Sequence, residues 1–301
     1  MRTLVTGATG LIGRALIKQL GDVVVLSRDA ERARLHLPSV EAHAWRPESE
    51  PAPSAALRSA DVIFNLAGEP LAEGRWSAGK KARIRDSRVQ GTRNLVAGLA
   101  ALGPGQRPRV LVSASAVGYY GDREDEVLDE GSLVGHGFLA EVCAAWEREA
   151  MAAERLDIRV VCVRIGLVLA RGGGALGRML IPFKMGVGGR LGGGRQWMSW
   201  ITIEDAVGIL LHASGNDQIR GAMNAVAPQP VTNAEFTQAL GRAVHRPAVL
   251  LPVPKAVLRV AFGEMSELLL ASQRVFPRIA HSTGYTFRHP ELARALDAIV
   301  S

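Results

Sequence analysis

Sulfur and aromatic chemistry are scarce in this 301-residue chain: aromatic residues make up 5%, cysteine occurs twice and tyrosine three times. The two cysteines, Cys143 and Cys162, lie apart, with no C-x-x-C and no histidine at metal spacing. Neither a disulfide framework nor a zinc site is suggested, no metal is expected, and both thiols read as core residues. Uninterrupted apolar runs of about eighteen residues are also missing, so no membrane span is expected. Met1-Arg2-Thr3 leads straight into a strand-like run, unlike a signal sequence, and a cytoplasmic location is expected. The formal charge of +7 comes mostly from scattered arginines, without a basic block or a nucleic-acid-binding motif. Nucleic acid is therefore not an expected partner, whereas a positive cleft suits a small anionic ligand.

What is present is an ordinary globular balance, 48% apolar and 22% charged, with 33 glycines. The most informative glycines fall in Leu4-Val5-Thr6-Gly7-Ala8-Thr9-Gly10-Leu11-Ile12-Gly13. A short apolar strand runs into three glycines spaced three apart, then into a helical pattern through Leu11, Ile12, Leu16, Ile17 and Leu20. Such a turn lets backbone N–H groups and a helix N-terminus approach a pyrophosphate. The spacing G-x-x-G-x-x-G differs from the commoner G-x-G-x-x-G, and a plain tight strand-to-helix connection would use the same glycines.

Strand-like and helix-like runs alternate through the first half, which predicts an α/β fold with a parallel sheet and helices on both faces. The second strand, Val23 to Leu26, ends at Ser27-Arg28. In a doubly wound sheet that tip meets the adenine ribose, where an arginine suits a 2′-phosphate and an acid suits the free hydroxyl. Arg28, with Arg32 one turn on, favours NADP(H), although Asp29 is adjacent. Residues 47–60 read as a loop with a short helix, and Asp61 to Gly68 as a buried strand entering a small-residue turn. The text from Gly74 to Lys81 nearly spells a P-loop, but Lys81 stands where a magnesium-binding hydroxyl is needed and no strand precedes it. A long helix, about Ser77 to Ala101, carries Ile84, Arg88, Thr92 and Leu95 on one face. A strand from Arg109 ends in Ser113 and Ser115, with Tyr119 and Tyr120 just beyond. These four read either as site residues at a strand end or as local bonding and half-buried packing. A helix from about Phe138 to Arg155 and a strand from Ile158 to Ile165 follow, with Arg164 near its end. From Leu169 the texture becomes glycine-rich and loop-like, with Lys184, Arg190 and Arg195, either a lid or substrate wall or a solvated surface loop. Later runs predict helices from near Glu204 and from Thr232 to Val244, and short strands at Met223 to Ala225 and Val249 to Leu251. The expected division is a dinucleotide-binding domain over 1–170 and a smaller C-terminal α/β lobe over 171–301, with later segments returning to the first.

Thr6 to Gly13, Asn65-Leu66-Ala67-Gly68 and Ser113-Ala114-Ser115 together resemble an extended short-chain dehydrogenase/reductase of the NAD(P)-dependent epimerase/dehydratase type. Asn65 to Pro70, Arg75-Trp76, Ser115 to Gly121, Trp146-Glu147, Gly172 to Gly174 and Leu180 to Gly189 are similar to an atypical subgroup, often named only as epimerase family or cell-division-inhibitor-like proteins. The resemblance covers essentially the whole chain and implies a Rossmann-type doubly wound sheet. It also implies an NADP(H) site lined by Gly7, Thr9, Gly10, Leu11, Ile12, Gly13, Ser27, Arg28, Leu66, Ala67, Gly68, Arg88, Ser113 and Arg164. The wider family uses a serine, a tyrosine and a lysine four residues after the tyrosine, the lysine lowering the phenol's pKa for proton exchange while hydride moves. No Y-x-x-x-K exists here. On the helix where the pair belongs, Phe138 or Leu139 and Val142 or Cys143 stand in its places. In the run Met198 to Asp205, methionine replaces the arginine that nucleotide-sugar members use, which argues against such a substrate unless Arg195 or Arg190 serves from nearby. Two readings follow. One is an NADP(H)-dependent oxidoreductase or epimerase-like enzyme acting on a small carbonyl or hydroxyl compound, with Ser115, Tyr119 and Tyr120 as catalytic candidates and Glu141 behind them. The other is a non-catalytic NADPH sensor that signals to a regulatory protein partner. A homo-oligomer is compatible with both.

Overall fold

The computed structural model describes residues 1–246 and 249–300. Seven parallel strands form the central sheet: β1 (Arg2–Thr6), β2 (Asp22–Ser27), β3 (Glu41–Ala44), β4 (Val62–Asn65), β5 (Val110–Ala116), β6 (Arg159–Ile165) and β7 (Gly221–Ala225), in the order β7-β6-β5-β4-β1-β2-β3. The direction of winding reverses between β1 and β4, and a doubly wound sheet opens a crevice beyond the strand C-termini at that switch point. The expected Rossmann-type architecture is therefore present, and β7 shows the chain returning to the sheet after residue 170.

Both faces of the sheet are covered because alternate side chains of a strand point to opposite sides and almost all of them are apolar. Val5, Val25, Phe64, Val112 and Val163 pack against α1 (Leu11–Ile17) and a later helix, while Leu4, Val24, Ile63, Leu111 and Val160 meet α3 (Ala78–Ala100) and α4 (Phe138–Met151). The short α2 (Ala30–His36) joins β2 to β3. The α4 run is α-helical only to Met151, and Ala152–Leu156 tightens into a 3-10 turn that ends at Asp157 in the left-handed region, φ 60°. Ser77 caps α3 by accepting the Lys80 N–H at 3.2 Å, which accounts for the helix start.

The glycine-rich stretch after Leu169 departs from a loop. It contains α5 (Gly174–Lys184), because Leu176 and Phe183 share a helical face that is buried in the cluster around Trp200. α6 (Ile203–Gly215) starts at the Thr202 cap and returns to the sheet, burying Ile209 and Leu210 with Val5 and Val112. α7 (Asn233–Ala243), opened by a Thr232/Glu235 capping box, and α9 (Leu292–Val300) complete the smaller core around Trp200. Between them, α8 (Lys255–Phe262) follows the strand Val249–Val253, which pairs with Gly189–Leu191. Among the described residues no helix is long and apolar enough to cross a membrane.

Candidate functional site

The crevice beyond β1, β2 and β4 holds a cavity of about 290 Å³. Gly7, Thr9, Gly10, Ser27, Arg28, Leu66, Ala67 and Gly68, all named from the sequence as candidates, line it together. The backbone requires glycine at two points. Gly7 sits at φ +70°, and a Cβ there would lie 2.6 Å from the Leu66 carbonyl oxygen. A Cβ on Gly13 would lie 2.3 Å from the Gly7 carbonyl oxygen, so the third glycine lets α1 cross directly over the turn. The turn is pinned to the neighbouring strand by Thr6, whose Oγ1 accepts the N–H groups of Leu66 and Ala67, both at 3.1 Å, and donates to Asn65 Oδ1 at 2.8 Å. Gly10 precedes α1 in extended conformation and offers no side-chain cap, which leaves the first N–H groups of the helix to an outside acceptor.

At the tip of β2 the two rival readings of the ribose end are separated by local bonding. Asp29 is the N-cap of α2, its Oδ1 accepting the Arg32 N–H at 2.9 Å. Ser27 Oγ donates to the Asp29 carbonyl at 3.0 Å. Arg28 is exposed and makes no ion pair among the described residues. The carboxylate is engaged within its own helix, and the guanidinium faces the cavity unpartnered.

Six other expected cofactor residues do not line this cavity. Leu11 lies beside Gly173 and Gly174, Ile12 packs into the core, and Gly13 supports the turn from behind. Ser113 is 1% exposed and accepts from Asn65 Nδ2 at 3.2 Å, inside the sheet network that also includes Thr92. Arg88 lies beneath Gly68, where its Nη1 donates to the carbonyls of Glu69 at 3.1 Å and Ile84 at 3.0 Å, over the Trp146 ring. Burial pulls the Arg88 pKa down. Conversely, Trp45, Pro47 and Glu48, from the loop after β3, line the cavity unanticipated. Their only signal is strand order, since β3 is distant from β4 in the sheet but its loop turns back over β2.

The end of β5 is built differently. Ser115 Oγ donates to Glu147 Oε1 at 2.6 Å, and Arg164 grips the same carboxylate through Nε at 2.9 Å and Nη2 at 2.8 Å. The third arm of Arg164 donates to the Tyr120 hydroxyl at 3.0 Å, and that hydroxyl donates to Asn224 Oδ1 at 2.8 Å. Arg164 thus commits every arm of its guanidinium to Glu147 and Tyr120, outside the switch-point cavity. Tyr120 is 0% exposed, and burial pushes its phenol up to about 12. A hydroxyl sealed from solvent and doubly bonded cannot exchange a proton with a substrate, so Tyr120 leaves the acid/base candidates. Tyr119 is half-buried, with the Arg164 guanidinium 3.4 Å from its ring centroid. Ser115 is 3% exposed. Glu141 is exposed in the first turn of α4, where a carboxylate complements the helix dipole.

The places of the missing pair are apolar in space as in sequence. Phe138 stacks edge-on against Trp76 at 5.6 Å, and Val142 and Cys143 are buried, burial holding the Cys143 thiol up at about 11. Lys80, from the P-loop-like text, is 5% exposed and pairs with Glu69 at 2.8 Å, so it cradles no phosphate. A second and larger cavity, about 550 Å³, lies beyond β5 between the start of α4 and the segment that begins with α8.

This architecture, a doubly wound sheet with a glycine turn at its switch point, defines a dinucleotide-type α/β protein. A family model described as the NAD dependent epimerase/dehydratase family matches residues 3–225, and the chain belongs to that family. A model described only as a domain of unknown function matches residues 253–299. Epimerase family protein Mb2239 of Mycobacterium bovis is 44% identical over 295 residues, covering 97% of this chain and 95% of that protein. The human epimerase family protein SDR39U1 is 38% identical over 312 residues, covering all of both chains. The crystal structure of human SDR39U1, isoform 2, with NADPH superposes with a TM-score of 0.87 at 36% identity, covering 100% of this chain and 99% of that one.

Proposed function

We propose that the switch-point groove binds NADP(H) and that the chain is an oxidoreductase or epimerase-like enzyme for a small carbonyl or hydroxyl compound, working without a Tyr-x-x-x-Lys pair. The observation that carries this reading is the sharing of one cavity by the glycine turn, the Leu66–Gly68 turn and an unpaired Arg28. The residues fit such a group, because Gly10 at the start of α1, which has no side-chain cap, and Arg28, which makes no ion pair among the described residues, line the same cavity. The similar human protein crystallised with NADPH supports the same choice. The dinucleotide, when bound, supplies the hydride donor or acceptor. The N–H groups at the start of α1 hold its diphosphate and Arg28 holds a 2′-phosphate. Ser115 directs its own proton at Glu147, which leaves its oxygen to accept a hydrogen bond from a substrate hydroxyl. Tyr119, the one tyrosine at this end with partial exposure, is the proton-exchanging group.

The closed network of Ser115, Glu147, Arg164, Tyr120 and Asn224 favours a second reading, a NADPH sensor that turns nothing over and signals to a protein partner. Incubating the purified chain with NADPH and a panel of carbonyls and sugars, and following nicotinamide absorbance, separates the two. Consumption above background that is lost in Tyr119→Phe establishes the enzyme. Tight binding with no consumption across a broad panel favours the sensor.

A further inference from the structure

The second cavity has walls from three separate parts of the chain, and one wall is the segment whose family model carries no function. Hydrogen bonds fix that wall in place. Ser272 donates its N–H to Asp122 Oδ1 at 3.0 Å, Gln273 Nε2 donates to the Gly121 carbonyl at 3.0 Å, and Lys81 of α3 pairs with Glu264 at 2.6 Å. The far wall is the start of α4, where Phe138 and Leu139 stand in the places that the family gives to its catalytic tyrosine.

Its chemistry is two-sided. Phe138, Leu139, Leu268 and Leu270 supply apolar surface, and Lys255 and Arg259, one turn apart on α8, supply two cations that make no ion pair among the described residues. Of the lining carboxylates, Glu264 pairs with Lys81, Asp122 accepts backbone N–H groups and keeps its charge, and Glu267 makes no ion pair among the described residues. Lys255 and Arg259 are matched in number by Asp122 and Glu267, yet neither cation is held by a carboxylate in an ion pair among the described residues. Two neighbouring cations with no ion-pair partner call for an anionic head group, and the apolar wall calls for a hydrocarbon or aromatic body.

We propose that this cavity is the substrate site and that its ligand has an apolar body and a carboxylate head group, with Lys255 and Arg259 gripping the head and Phe138 and Leu268 covering the body. The term substrate rests on the enzyme reading above; the ligand chemistry does not.

The test uses the full chain at low ionic strength, with phenylbutyrate, phenylbutanol and phenylbutylamine as probes of equal bulk and different charge. Binding is followed by ligand-observed NMR, and NADPH is titrated into the same samples. The expected result is a carboxylate at least about tenfold tighter than the alcohol or the amine. In Lys255→Gln/Arg259→Gln, both sites being exposed, that preference disappears while alcohol and NADPH affinities stay unchanged. Equal affinity for acid and alcohol, a preference for the amine, or a carboxylate preference that survives the double substitution each overturns the proposal. Failure of NADPH to bind overturns the groove assignment and leaves the probe comparison intact, so the two claims fail separately.

Discussion

Two arginines stand near the ends of sheet strands, Arg28 after β2 and Arg164 in β6, and they have opposite fates. Arg164 is 4% exposed, with every arm of its guanidinium bonded to Glu147 or Tyr120. Arg28 is exposed and has no ion-pair partner among the described residues. A cation that is fully bonded inside the protein fixes the fold, whereas one left unpaired beside a glycine turn has its bonding capacity available to a ligand. The same contrast separates the two ends of the crevice: donors point outward at the switch point, and polar groups are closed on one another beyond β5.

The contrast breaks most visibly if the closed end proves dispensable. Arg164→Ala leaves Glu147, whose side chain is 12% exposed, as a mostly buried carboxylate without its cation and is expected to cost about 3–5 kcal/mol in denaturant unfolding. A loss below about 1 kcal/mol would mean that the network is not structural. Gly13→Ala drives a methyl into the Gly7 carbonyl and the Ala8 backbone, none of which is a flexible side chain. It is expected to cost ~2–3 kcal/mol and to abolish NADPH binding in a fluorescence titration. Unchanged binding would show that the turn is not the diphosphate cradle.

Smaller effects sharpen the comparison. Tyr120→Phe removes the shared hydroxyl of Arg164 and Asn224 and is expected to destabilise by about 1–2 kcal/mol, leaving NADPH affinity as it was. A change in affinity with no change in stability would return Tyr120 to the site. The least effect concerns Glu69, whose carboxyl is held below its ordinary 4.5, chiefly by the Lys80 hydrogen bond, with burial partly opposing. Because the folded pKa is the lower one, this pair stabilises above the unfolded pKa and its contribution is lost as pH falls through the folded value. Glu69→Gln is expected to cost under about 1 kcal/mol at neutral pH and to flatten the acid limb of the stability profile. An unaltered acid limb would contradict this.

The sheet and the glycine turn were legible because short continuous apolar runs alternating with helical patterns, and closely spaced glycines, act locally. Fates of individual polar groups were not. Arg28 and Arg164 read alike in sequence, and what distinguishes them is a carboxylate 17 residues before Arg164 that helix packing carries to the strand end. Tyr119 and Tyr120 are neighbours that diverge because one ring enters the core between Leu128, Val226 and Val275. In α5 the glycines obscured a helical face carried by Leu176 and Phe183. Trp45, Pro47 and Glu48 entered the groove through a loop that only the strand order brings over β2.

The central claim, that the open end of the crevice selects the phosphorylated dinucleotide through Arg28, is tested most directly by calorimetric titration of NADPH and NADH into the intact chain and into Arg28→Gln. The account predicts a preference for NADPH that falls about tenfold or more on substitution, with NADH affinity and unfolding stability unchanged. Absence of heat with either dinucleotide, or a preference that is the same in both proteins, would contradict it.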